Sequence, residues 1–304
     1  GEVIADPLAV IVDGETIPCR DLVVATHVPM VGIRNLAGAT LFQTKLYLYS
    51  SYILGARIDD DMLNPGLYTD TSFPYYYLRV HDTAAGRYAI FGGEDHKTGQ
   101  HADAEACYAR LTEKLREVLP TARIERRWSG QVIETDDGLP FIGEVAPHQY
   151  VATGYAGNGL TFGTIAGAMM HDAVLGHENP WKALFDPHRK ATSLGAVKRF
   201  VAENLDYPRY YIADRLRQRR DKSGVENVPR GGGKVITVDG QRVAVHRREN
   251  GDVVKVSAVC THMGCLVRWN DAEHTWDCPC HGSRFTPEGL VLGGPAEAPL
   301  EKIE

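Results

Sequence analysis

Two short boxes near the end of the chain constrain its fold more than any other feature: CTHMGC at Cys260 to Cys265 and CPCHGS at Cys278 to Ser283. The first supplies Cys260 and His262 as C-x-H, the second Cys278 and His281 as C-x-x-H, with 15 residues between the two pairs. Thiolates and neutral imidazoles are strong donors to transition metals. Four such groups converge only if the boxes sit on facing loops, so this stretch is expected to fold around a metal centre. Zinc also takes two Cys and two His, but zinc sites favour C-x(2–4)-C and H-x(3–5)-H pairs over one Cys and one His in each box. The remaining cysteines of the boxes, Cys265 and Cys280, read on their own as buried free thiols.

The boxes resemble those of Rieske 2Fe-2S proteins of the respiratory-complex type. The resemblance implies that Cys260 and Cys278 hold one iron, and that His262 and His281 hold the other. Neutral imidazoles in place of two thiolates leave the cluster less negative, which raises its potential into a range of roughly −150 to +300 mV. It also implies a disulfide between Cys265 and Cys280, tying the two cluster loops together. Ser283 is expected to donate a hydrogen bond to a cluster sulfide, favouring the reduced state and raising the potential. Phe285 stands where high-potential members have a hydroxyl-bearing Tyr, so an intermediate potential is expected. Gly293-Gly294-Pro295-Ala296 resembles the proline loop that covers the cluster from a third side; without the boxes it reads as a surface turn.

A chain of 304 residues is comfortable for two domains, each with its own core. Its net charge of −6 argues against nucleic acid as a partner. The longest apolar helix candidate, Phe162 to Leu175, is too short to span a bilayer, so no membrane span is expected. The chain opens at Gly1 on strand-like sequence without a charged-then-apolar leader, and part of the protein is expected to lie upstream. The cysteines do not form a secreted disulfide framework, and a cytoplasmic location is the default expectation.

Three regions follow from the patterning. Residues 1–190 mix strands and helices, 191–227 form a helical connector, and 228–304 are short strands and turns, giving an α+β region followed by an all-β domain. The connector runs through 200–205 to Arg215-Leu216-Arg217-Gln218-Arg219-Arg220 and Lys222-Ser223-Gly224, which reads as a solvated helix face or linker. In the first region, 9–12 leads into Asp13-Gly14 as a strand into a hairpin turn, and 20–26 reads as a buried strand. The β-rich runs 75–80 and 87–92 flank a second hairpin turn. Residues 103–119 carry Ala106, Leu111, Leu115 and Val118 at helical spacing and stop at Pro120.

The richest signal in this region is Thr135 to Gly143 (TDDGLPFIG) followed by Tyr150 to Thr161 (YVATGYAGNGLT): a strand, a glycine-rich turn, then a helix whose start is bare of side chains. Such a start offers backbone N–H groups and a positive dipole end to an electron-rich ligand. These runs, with the Leu22-Val23-Val24-Ala25-Thr26 strand, resemble the C-terminal two-thirds of FAD-dependent oxidoreductases of the D-amino-acid oxidase and glycine oxidase superfamily. The resemblance implies an antiparallel sheet with helices, and places Gly157, Asn158, Gly159, Leu160 and Thr161 beside FAD. The whole chain is similar to bacterial FAD-dependent oxidoreductases with a C-terminal Rieske domain.

Two departures from that pattern matter. No strand-GxGxxG-helix element opens the chain, and Gly231-Gly232-Gly233 precedes a strand rather than a helix, so the chain reads as a fragment lacking the N-terminal Rossmann element. FAD is accordingly expected of the full-length protein. Val132 stands where glycine-oxidase-like enzymes carry a carboxylate-binding arginine. Arg79 is a substitute cation or a solvent-facing strand residue, and Tyr75, Tyr76 and Tyr77 line a substrate cavity or pack the sheet. No catalytic base is identified, since the flavin supplies the chemistry.

The favoured function is an oxidoreductase that passes electrons from an FAD-oxidised small substrate, an amine or amino-acid-like molecule, to the cluster. The cluster then delivers them to a redox partner protein or a quinone-like acceptor. A non-catalytic electron-transfer module is the alternative. A Rieske oxygenase is disfavoured, because its mononuclear iron domain would follow the cluster domain and the sequence ends at Glu304.

Overall fold

Both hairpins expected from the sequence form. Leu8–Val12 turns at Asp13-Gly14 into Glu15–Pro18, and Glu2–Ala5 pairs along its other edge. Tyr77–Thr83 runs antiparallel to Gly86–Lys97, with Thr83 opposite Gly86, so the strands reach further into the turn than 80 and 87. The computed structural model describes residues 2–29, 42, 44–59, 61–71, 75–100, 103–190, 193–218 and 224–303. They fall into two compact units, one from 1–48 and 132–208, the other from 49–131 and 209–304. The sequence regions and the compact units are therefore different divisions: residues 1–190 contribute to both.

In the first unit, Gln149–Thr153 is buried at every position and pairs parallel with Leu22–Val24 and antiparallel with Phe141–Ala146. A strand covered on both faces shows no apolar alternation, and here each face has its own core. Val24, Phe42, Leu46, Ile133, Phe141 and Val151 fill one side. On the other, Ile142, Tyr150 and Ala152 meet Ala166, Met169 and Met170 of the Gly159–Leu175 helix. The TDDGLPFIG run is pinned by Arg189, whose guanidinium donates to both carboxylate oxygens of Asp137 at 2.8 Å and to the carbonyls of Leu139 (2.6 Å) and Pro140 (2.9 Å). The same guanidinium lies 4.0 Å above the Phe141 ring.

The second unit contains a five-stranded sheet in the order Gly66–Thr69, Tyr77–Thr83, Gly86–Lys97, Tyr47–Arg57, Arg123–Glu134. The Ala104–Val118 helix covers one face, burying Cys107, Tyr108, Leu111 and Leu115 against Tyr52, Leu54, Leu78 and Phe91. It starts where the Asp103 carboxylate accepts the Ala106 N–H at 2.9 Å. Two small antiparallel sheets complete the unit: Gly233–Val238, Gln241–Arg247 and Val253–Ser257, then Arg268–Asn270, Thr275–Asp277, Arg284–Phe285 and Val291–Gly293. Trp276 and Phe285, both fully buried, pair across the second.

The connector is helical, as Leu194–Asn204, Asp206–Gln218 and the short turn Val225–Asn227. Asp214 in its second helix pairs with Arg268 at 2.6 Å. Of the arginine-rich run, Arg219, Arg220, Lys222 and Ser223 lie outside the described residues. Among the described residues, no helix is long and apolar enough to cross a membrane.

Candidate functional site

The two boxes fold into nearly the same loop. In the first, the Gly264 N–H donates to the Cys260 carbonyl at 3.0 Å and the Cys260 N–H to the Cys265 carbonyl at 2.8 Å; in the second, Gly282 donates to Cys278 at 3.0 Å and Cys278 to Ser283 at 2.8 Å. Each loop thus begins on a cysteine, has glycine at its fifth position and closes on its sixth. This correspondence is readable in CTHMGC and CPCHGS once they are aligned on their first cysteines.

The closed loops bring the candidate ligands together. Cys260 and Cys278 are free thiols, 2% and 1% exposed. The His262 and His281 rings lie 4.9 Å apart between centroids, at 86° to one another. Cys265 and Cys280 are bonded as a disulfide with Cα atoms 6.5 Å apart, joining the loops. Sulfur positions alone also group Cys265, Cys278 and Cys280 as a ligand set. We discount that grouping, because two of its sulfurs are bonded to each other and supply no thiolate.

Electrostatics favour ligation by these groups. Burial pushes His262 down to about 4, and burial, followed by the charges of His262 and Lys97, pushes His281 down to about 3, so both rings are neutral donors at neutral pH. The Cys260 thiol is lowered to about 7 chiefly by a hydrogen bond from the Cys278 thiol, against the opposing effect of burial. The N–H groups of His262 and Met263 and the Ser283 hydroxyl assist. That same hydrogen bond, reinforced by burial, holds the Cys278 thiol well above its ordinary value. A metal takes the place of a shared proton readily at such a pair. The donor set, two buried thiols and two partly exposed neutral imidazoles, fits a 2Fe-2S cluster.

Ser283 is fully buried, and its hydroxyl oxygen accepts the Ala296 N–H at 3.0 Å. Ala296 is itself 4% exposed, so the 293–296 segment packs on the second box rather than standing as a surface turn.

The glycine turn of the first unit has the geometry expected of it. Its helix starts at Gly159 after Asn158, without a side-chain cap and without an acidic residue in the first turn. Gly157, Asn158, Gly159, Leu160 and Thr161 are all exposed, Leu160 at 85%. The parallel pairing of Leu22–Val24 with Gln149–Thr153 makes both strands end on the same edge, where the Thr153 hydroxyl donates to the His27 carbonyl at 2.6 Å. The two segments that the sequence links to FAD therefore adjoin. The leading strand is shorter than expected, because Ala25 and Thr26 leave the sheet.

The substrate-side residues divide. Arg79 is exposed on its strand. Tyr76 stacks on Phe91 with centroids 5.7 Å apart and donates to Glu94 at 2.8 Å, while Tyr77 shares a hydrogen bond with Ser51 at 3.2 Å. Tyr76 and Tyr77 are sheet packing. A further group that the sequence reading did not single out, His171, Asp172 and His177, gathers at the end of the Gly159–Leu175 helix, with both imidazoles exposed.

Comparison with known proteins agrees with this arrangement. The family model described as DAO, FAD dependent oxidoreductase, matches residues 4–173, and the Rieske [2Fe-2S] domain model matches 222–304. Over 291 residues the chain is 33% identical to a protein of Bacillus subtilis (strain 168) named "Putative Rieske 2Fe-2S iron-sulfur protein YhfW", covering 95% of this chain and 55% of that one. Over 117 residues it is 41% identical to the cytochrome b6-f complex iron-sulfur subunit of Chlorobaculum tepidum, covering 36% of this chain and 64% of the subunit. Glycine oxidase from Geobacillus kaustophilus shares the fold, with a TM-score of 0.51 at 20% identity over 62% of this chain and 51% of that one. The chain spans about half the length of YhfW and of that oxidase.

Proposed function

This chain belongs to the FAD-dependent oxidoreductase family and carries a C-terminal Rieske domain, and from that premise we propose that it moves electrons from a small amine or amino-acid-like substrate, oxidised at FAD, to a 2Fe-2S cluster held by Cys260, His262, Cys278 and His281. The observation that supports this most is the meeting of two buried free thiols and two neutral imidazoles on loops joined by a disulfide. When bound, FAD supplies two-electron oxidation and the cluster one-electron transfer.

The chain's own residues have distinct parts in this reading. Cys260 and Cys278 would hold one iron as thiolates and His262 and His281 the other, with both sulfurs buried and both imidazoles only partly so. Ser283 would stabilise negative charge at the centre through its hydroxyl. Gly157 to Thr161 would offer a bare, exposed helix N-terminus, rich in N–H groups, to an electron-rich part of the flavin. The onward acceptor is a redox partner protein or a quinone-like molecule.

The deciding experiment is iron, zinc and flavin analysis of the purified chain, EPR after dithionite reduction, and stopped-flow reduction by amines of protein shown to carry flavin. Two irons per chain, a Rieske-type signal and amine-driven reduction support the reading. Iron without substrate-driven reduction leaves a relay of electrons between partners; zinc in place of iron overturns the assignment.

A further inference from the structure

The second box is gripped from outside the Rieske domain. Within one compact unit, the turn that follows the Gly86–Lys97 strand lies against it. The Gln100 side-chain amide donates to the Pro279 carbonyl at 3.0 Å. The Gln131 amide donates to the Gly282 carbonyl at 2.7 Å and to the Thr98 hydroxyl at 3.2 Å, and Thr98, 1% exposed, shares a further hydrogen bond with Ser50 at 2.9 Å. Gly99, at φ +75°, comes so close that a Cβ there would stand 2.8 Å from the Cys278 carbonyl carbon and 2.9 Å from the Pro279 nitrogen. Both contacts are backbone, so neither can swing aside.

A second set of buried polar contacts joins the same partners. Arg284, directly after Ser283 and 9% exposed, donates to Asp277 at 3.1 Å and to the Ser129 hydroxyl at 3.1 Å. The Ser129 hydroxyl donates in turn to Glu273 at 2.9 Å, which also accepts from the Tyr108 hydroxyl on the covering helix. Parting these surfaces would strip a buried charge network of its neutral partners, a strongly unfavourable step. A loosely tethered domain has no use for such a network.

We propose that Gln131, Gln100 and Gly99 are positioning residues that clamp the Cys278–Ser283 loop onto the oxidoreductase sheet, holding the centre in one place relative to that sheet and setting its properties from outside the Rieske domain. The inference rests on the ligand reading given above. Gln131 matters most: the carbonyl it holds belongs to the residue between His281 and Ser283, and that peptide's orientation directs both the imidazole and the hydroxyl. Gln100 holds the opposite end of the loop, and Gly99 sets how closely the sheet approaches.

The test uses the whole chain and its variants Gln131→Met and Gln100→Met/Gln131→Met, which keep side-chain volume and remove the donors; Gly99→Ala is the steric counterpart. Metal content, far-UV circular dichroism, EPR g values, an EPR-monitored redox titration and hydrogen–deuterium exchange over 278–283 are measured on each. The glutamine variants are expected to retain iron and fold, yet to shift g values and midpoint. Exchange should accelerate roughly fivefold for each hydrogen bond lost. Iron-loaded glutamine variants with parental g values, midpoint and exchange rates would overturn the clamp, whatever Gly99→Ala does. A parent chain without a Rieske signal sinks the ligand reading instead, and exchange in the metal-free chains then decides the clamp by itself.

Discussion

The Ser283 hydroxyl sits between two segments: its oxygen accepts the Ala296 N–H at 3.0 Å, and the same hydroxyl is among the groups that lower the Cys260 thiol. One side chain thereby couples the covering segment 293–296 to the first ligand box, although it belongs to the second. Its removal is expected to leave the ligands in place, change their electrostatics and free the buried Ala296 N–H. Ser283→Ala should retain its iron and lower the midpoint potential by roughly 60 mV, the equivalent of ~1.4 kcal/mol for a one-electron couple. An EPR-monitored titration reads the shift directly.

The cysteines give a chemical fingerprint. After chelation and denaturation without reductant, alkylation should label Cys19, Cys107, Cys260 and Cys278 and spare Cys265 and Cys280, which react only after reduction. Peptide mass spectrometry distinguishes the two sets. Replacing both Cys265 and Cys280 by Ser should lower stability by about 3 kcal/mol, the effect of releasing a loop of this length, as measured by chemical unfolding.

Arg189→Ala tests what holds the TDDGLPFIG run. The substitution strips Asp137 of its partner and the carbonyls of Leu139 and Pro140 of their donor, and uncovers the Phe141 ring. A loss of roughly 3 kcal/mol is expected in urea unfolding. Arg189→Lys should recover only part of it, since an ammonium cannot span both carboxylate oxygens while lying flat on a ring.

Asp137 supplies a pH signature. Burial pushes its carboxyl upward, but the hydrogen bond from Arg189, with that of the Leu139 N–H, overrides this and holds it below its ordinary 3.8. A carboxylate with a depressed folded-state pKa contributes stability that is fully present above the unfolded value and is lost as pH falls through the folded one. Unfolding midpoints should therefore drop as pH falls below about 4, and Asp137→Asn should flatten that part of the acid limb. An unchanged acid limb in the variant would refute the assignment.

What the sequence reveals and what it hides follow from the range of the interactions. The ligand boxes are legible because four donor groups of two kinds sit in two six-residue segments, and the glycine turn is legible because a bare helix start is a local property. The Tyr47–Arg57 strand escapes notice: its 11 residues are buried at nearly every position, so the alternation that marks a half-covered strand is missing. Arg189 reaches Asp137 from 52 residues away, and Gln131 reaches Gly282 from 151. A lone arginine and a lone glutamine carry no local mark of such partners. The division into compact units is hidden for the same reason, since two long strands, Tyr47–Arg57 and Arg123–Glu134, carry the chain from one unit to the other.

The bond between Cys265 and Cys280 also separates two tasks within the boxes, joining the loops and offering ligands. Many metal sites come into being only when the ion gathers loose ligands and folds the chain around itself. Here the two loops are stapled to each other by sulfur chemistry that needs no metal, and each is closed by its own pair of backbone hydrogen bonds. The staple spends none of the four candidate ligands, so the same two loops that it joins leave Cys260, His262, Cys278 and His281 for a metal.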